Sequence, residues 1–140
     1  MASDVTSMHI RRLEAGILDY GTDIDQSLNP FELGLGQFVD LSKDDFIGRR
    51  ALLETDRRAT RVMGLRSDDV KPIRGDCLMN EAGDSLGAIT AGAWSPSLDC
   101  GIGIIRLDRP IDPDVALRLR TETGDFQAEL CLLPFYDPQK

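Results

Sequence analysis

The residues best equipped for chemistry crowd one stretch near the start of the chain. Arg11-Arg12-Leu13-Glu14 is followed by Asp19-Tyr20-Gly21-Thr22-Asp23-Ile24-Asp25. A guanidinium presents paired N–H donors that match a carboxylate, so Arg11 and Arg12 are candidates for holding a small anionic ligand. Glu14 competes for the same guanidiniums as an internal ion-pair partner. Tyr20 and Trp94 offer flat faces that stack on an aromatic ring or serve equally well as core and interface residues.

Other arrangements of reactive residue types fail on spacing. Asp23, Asp25, Ser27 and Asn29 superficially resemble a calcium loop, but that loop needs glycine at its sixth position and glutamate at its twelfth. Leu28 and Gly34 stand there instead. Gly101-Ile102-Gly103 is too short for a nucleotide-binding fingerprint and precedes a strand rather than linking strand to helix. Cys77, Cys100 and Cys131 are odd in number and lack the close spacing of a zinc or redox motif. They read as reduced, small hydrophobic residues, with a Cys131–His9 pair the weaker alternative. With one histidine in the chain, no metal site is expected, and no carboxylate is singled out as a catalytic acid or base.

These residues must be positioned by elements legible in the patterning. Apolar residues at 10, 13, 17 and 18 fit one face of a short helix that breaks at Tyr20-Gly21. Ser27-Leu28-Asn29-Pro30 reads as a turn. A strand is expected from about Leu35 to Leu41. A helix is expected to start at Ser42-Lys43-Asp44-Asp45, which has the form of a capping box. Beyond residue 61 the texture changes to short strands: 61–66, 76–79, 85–90, 102–107, 115–119 and 126–132. Turns fall at Pro72–Gly75, at Ala82-Gly83-Asp84 and at Gly124, with a loop through Trp94-Ser95-Pro96. Six short strands joined by turn residues predict a small antiparallel barrel. The fold class is therefore α+β, with a boundary near Ala59–Arg61 dividing residues 1–60 from 61–140.

Composition bounds the partners. The chain has 140 residues, 41% hydrophobic and 29% charged, which suits a globular domain able to bury a core. Residues 1–60 carry 7 basic and 11 acidic side chains and residues 61–140 carry 9 and 13, so each part nets −4. Neither offers the basic stripe that nucleic acid requires. The start, Met1-Ala2-Ser3-Asp4-Val5, lacks the basic and apolar regions of a signal peptide, and no apolar run reaches membrane-spanning length. A soluble, cytoplasmic protein is expected.

Four blocks, taken together, resemble the aminomethyltransferase (glycine-cleavage T-protein) family and its folate-dependent demethylase relatives. They are Arg12-Leu13-Glu14-Ala15-Gly16 running into Tyr20–Asp25; Asn29-Pro30-Phe31-Glu32-Leu33-Gly34-Leu35; Phe46-Ile47-Gly48-Arg49-Arg50-Ala51-Leu52; and Gly87–Gly92 with Ser95-Pro96-Ser97-Leu98 and Leu133-Pro134-Phe135-Tyr136. The resemblance implies that residues 1–60 are the end of a mixed α/β folate-binding region and that 61–140 form the family's C-terminal six-stranded β-barrel. It implies transfer of a one-carbon unit from an amine or sulfonium to tetrahydrofolate. Arg12, Arg11, Glu14, Tyr20 and Trp94 are then the candidate folate contacts. The aspartate that assists transfer lies in the family's N-terminal half, so no residue here inherits a catalytic role. Two positions depart from the pattern: Met8 stands where relatives often carry a folate-contacting arginine, and Ala91 replaces a serine. The implied chain is inactive alone. The competing expectation is a non-catalytic assembly module that forms a homo-oligomer or complements a separate N-terminal half, because a half-domain exposes apolar surface.

Overall fold

The computed structural model describes residues 5–54, 60–109, 111 and 116–135. Six strands, β1 (Val62–Ser67), β2 (Cys77–Met79), β3 (Ser85–Ser95), β4 (Cys100–Leu107), β5 (Leu117–Thr121) and β6 (Gly124–Cys131), close into a barrel. They run in the order β1-β4-β3-β2-β5-β6, antiparallel throughout. The α+β class and the six-stranded barrel expected from the strand spacing are both present.

Alternation sets which face is inside. Leu117 and Leu119 on β5 point into the barrel while Arg118 and Arg120 face water, and Ala128 and Leu130 fill the same interior from β6. Met63, Leu65, Leu78, Leu86, Ile89, Ile105 and Leu107 complete that core. β4 is different, being buried along nearly its whole length. Its unbroken Ile102-Gly103-Ile104-Ile105 run is what a strand covered on both faces requires. Ile105 and Leu107 join the barrel interior, whereas Cys100, Ile102 and Ile104 lie under the N-terminal segment.

That segment is an arm laid across the outside of the barrel. α1 (Val5–Glu14) seats Ile10 and Leu13 on β3 and β4, and Leu28, Ile24, Leu33, Leu133 and Phe135 extend the same cluster. The helix stops earlier than the 10-13-17-18 pattern predicts. Gly16, at φ +69°, donates to the Leu13 carbonyl and Ile17 to the Arg12 carbonyl, the paired bonds of a left-handed helix C-terminus that glycine adopts without strain. Ile17 is therefore exposed rather than part of the buried face.

Three further expectations change. No strand forms at 35–41; the Asn29 side chain instead accepts from the Phe31 and Glu32 amides and starts a run of helix-like turns, which ends in a 3-10 turn at Gly36–Phe38. Ser42 caps no helix, because both its amide and its hydroxyl donate to Asp40 Oδ1. α2 (Arg49–Leu53) begins later, behind Gly48 at φ +87°. β3 continues through Trp94 and Ser95, pairing them with Gly101 and Cys100, where a loop was expected. Its small Ala and Gly residues conceal the strand signal, since strand preference rests on bulky side chains. The expected boundary near 59–61 adjoins residues 55–59, and Val115 and Tyr136 also lie outside the described residues.

The three cysteines are free thiols. Burial pushes Cys131 up to about 11, so it stays protonated at neutral pH, packed beside Gly64 and Phe135. His9 is engaged elsewhere, its Nε2 lying 3.2 Å from the Gly92 carbonyl oxygen. The alternative of a Cys131–His9 nucleophile is therefore not formed. Among the described residues no helix is long and apolar enough to cross a membrane.

Candidate functional site

Helix geometry decides where the charged cluster goes. Residues two apart on a helix do not share a face, whereas residues three apart do. Arg12 accordingly points to one side of α1, and Arg11 and Glu14 line a cavity on the other.

Arg12 reaches down onto Asp23, Nη1 to Oδ2 at 2.7 Å, and also donates to the Ile17 carbonyl at 2.9 Å. Asp23 is fully buried. Its Oδ2 also accepts the Asp19 amide at 2.8 Å, and its Oδ1 accepts the Thr90 hydroxyl of β3 at 2.6 Å. A buried carboxylate is tolerable only when paired and hydrogen-bonded, and this one is satisfied from three directions. The expected Glu14–arginine pair does not form: Glu14 accepts the Ser95 hydroxyl instead.

A second tie lies nearby. Arg106 on β4 donates to Asp25 at 2.9 Å and to the Ser27 hydroxyl at 2.7 Å. The Arg106 and Ser27 hydrogen bonds hold the Asp25 carboxyl well below the usual carboxylate range. A depressed folded-state pKa contributes stability that is complete above the unfolded value of about 4 and is lost as pH falls below it. Asp25→Asn should therefore flatten the decline in unfolding free energy between about pH 5 and pH 3, as read by guanidinium titrations. An unchanged slope would show that this pair does not tie the arm down. The half-exposed pair is screened by salt, so the difference should shrink at high ionic strength.

Between α1 and the barrel lies an open cavity of about 470 Å³. Arg12, His9 and Asp19 line it from the arm, Thr90 from β3, and Lys71 and Arg74 from the segment joining β1 to β2. Arg11 and Glu14 line a separate cavity of about 380 Å³ with Ile10 and Pro96. Tyr20 is exposed on the turn that bridges to Ile24, and Trp94 is half-exposed on β3; neither borders these two cavities. The five candidate residues are thus not gathered into one site. Only Arg12 faces the larger cavity, and its charge is met by Asp23. Asp23, Thr90, Lys71 and Arg74 were not singled out from the sequence as contacts. Asp23 stood out there as a member of the charged cluster and of a calcium-loop pattern that fails, not as a buried partner for Arg12, and Lys71 and Arg74 only as residues beside or within a turn. Among the described residues no three His, Cys, Asp or Glu side chains are arranged to hold a metal ion.

Comparison with known proteins places this geometry in context. The family model of the glycine cleavage T-protein C-terminal barrel domain matches residues 60–137. The aminomethyltransferase of Saccharopolyspora erythraea is 35% identical over 130 residues, covering 89% of this chain and 35% of that protein. The aminomethyltransferase of Halothermothrix orenii is 35% identical over 131 residues, covering 89% and 36%. The crystal structure of glycine cleavage system aminomethyltransferase T from Bartonella henselae superposes with a TM-score of 0.78 at 25% identity, covering 93% of this chain and 38% of that one. The chain spans about a third of the length of the relatives it matches.

Proposed function

Since the chain belongs to the glycine cleavage T-protein family, whose C-terminal barrel domain it carries, we propose that it forms the C-terminal part of a tetrahydrofolate-dependent aminomethyltransferase. In that reading a one-carbon unit passes from an amine or sulfonium donor to tetrahydrofolate. Residues 1–60 are the end of the folate-binding region and 61–140 the barrel beside it. The chain's part is to bind and orient. The carboxylate that assists transfer in the family lies in the N-terminal half, so the 140 residues alone do not turn over.

The observation that carries this reading is the cavity of about 470 Å³ at the junction of arm and barrel. It is open, of a size ordinary for small-molecule sites, and bordered by Arg12, Lys71 and Arg74 in a chain whose net charge is −8. Such a rim suits an anionic ligand, and tetrahydrofolate carries its carboxylates on a tail beside a flat pterin. Tyr20 and Trp94 would stack on it only from outside this cavity, and Arg11 and Glu14 only from the opposite side of α1.

Titrating the purified chain with 5-formyltetrahydrofolate tests the reading. Saturable binding is expected, without demethylation of an amine donor. Absence of saturable binding removes the folate reading, and turnover at a rate ordinary for enzymes removes the claim of inactivity. A second reading, a non-catalytic assembly module, is favoured by the apolar side chains left in water: Val5, Met8, Ile17, Phe38 and the wholly exposed Ile47. A second copy or a complementary N-terminal half would cover them. A monomer in light scattering of the same sample, with no binding of an apolar dye, argues against that reading.

A further inference from the structure

The larger cavity holds three permanent cations, and they are not equivalent. Arg12 is the one whose sequence context draws attention, yet its charge is met by buried Asp23, with Nη1 bonded to that carboxylate and to the Ile17 carbonyl. Lys71 and Arg74 are exposed and make no hydrogen bond or ion pair among the described residues. Among the described residues, Asp19 is the only carboxylate bordering the same space. The cations available to an incoming anion are therefore those on the 70–75 segment.

That segment is held in place. Pro72 is fully buried, and its carbonyl oxygen lies where a Cβ on Gly92 would stand, while the Val70 carbonyl occupies the same place over Gly101. Asp76 Oδ2 accepts the Ile73 amide at 2.9 Å, and the Gly75 amide donates to the Ile89 carbonyl at 2.9 Å. Backbone fixed on both sides of Lys71 and Arg74 lowers the ordering cost of binding, which is the usual gain from preorganisation.

Building on the proposed function, we infer that Lys71 and Arg74, rather than Arg12, are the carboxylate-binding residues of this cavity, and that they receive the glutamate end of the ligand. The two cations suit the two carboxylates of a glutamate, with Arg74 able to bind one bidentately and Lys71 acting as a point charge. Arg12 keeps a positioning role, fixing the arm wall through Asp23.

The test uses p-aminobenzoyl-glutamate, the tail without the pterin, titrated into the whole chain with amide chemical shifts as the readout. Wild-type protein should bind saturably, more weakly as salt rises. Lys71→Ala/Arg74→Ala should bind at least about tenfold more weakly. Both side chains are exposed, so the double variant should keep the wild-type spectrum elsewhere. Equal affinity in the two proteins, or no binding at about 10 mM, overturns the inference. The outcomes separate from those of the parent reading. If the tail binds through these residues while 5-formyltetrahydrofolate does not bind, the folate reading falls and this one stands. If the reduced folate binds and the double variant leaves both ligands unaffected, the reverse holds.

Discussion

Arg12→Met should lower the unfolding free energy by about 3 kcal/mol, a large fraction of the 5–15 kcal/mol that holds an ordinary domain together. Methionine keeps most of the side chain's length and apolar contact, so the change isolates the charge. What it leaves behind is Asp23, fully buried, with the Asp19 amide and the Thr90 hydroxyl but no cation. Removing one member of a buried pair typically costs 3–5 kcal/mol, mostly as the penalty of the stranded charge. The lower end applies because the Arg12 side chain is 22% exposed and water can reach the vacated space. Arg11→Met is the internal control: Arg11 is exposed on the far side of the same helix, and its replacement should fall within about 0.5 kcal/mol of wild type. Equal guanidinium midpoints for the two variants would show that the Arg12–Asp23 pair does not hold the arm.

This prediction inverts the role the sequence suggested for Arg12. An arginine next to a turn, in an acidic chain, looks like a ligand contact, and nothing local says that its partner is buried. The partner becomes identifiable only through Thr90, which is 67 positions away from Asp23. Two further polar ties between arm and barrel are as long-range: Asp25 to Arg106 and Glu14 to Ser95 each span 81 positions. Period-based reading sees neighbours along the chain, so it located the barrel strands and the Ile10–Leu13 face of α1 but not the turns that follow that helix. The β5–β6 hairpin was legible because one of its faces meets water and the side chains alternate accordingly. Beyond α1 the arm has no such periodicity, since its turns are set by side chains such as Asn29 and Asp40 bonding nearby backbone amides. Lys71 and Arg74 gave no signal at all. A charged residue beside a proline is ordinarily just a solvated turn, and only the cavity gives these two a shared target.

The second large effect is expected at Gly92→Ala. Gly92 does not need glycine for its backbone angles; it needs the absence of a side chain. A Cβ there would stand 2.0 Å from the Pro72 carbonyl oxygen, and one at Gly101 would stand 1.9 Å from that of Val70. These are backbone atoms, so no rotamer change relieves the clash and the 70–72 segment must lift. Overpacking of this kind typically costs 1–3 kcal/mol, and the full range is expected because buried Pro72 leaves its place as well. The two glycines contact neighbouring parts of one segment, so their effects should not add. Once Gly92→Ala has displaced it, Gly101→Ala meets less resistance, and the double variant should cost less than the two single variants combined. Strict additivity, or single costs below about 0.5 kcal/mol, would mean the segment is not seated on these strands. The same variant bears on the cavity. Gly92→Ala leaves Lys71 and Arg74 in the sequence but moves the backbone that presents them. Its affinity for p-aminobenzoyl-glutamate should fall toward that of the Lys71→Ala/Arg74→Ala protein. Loss of binding with both cations retained would separate their placement from their charge, and placement is what the glycines in β3 and β4 provide.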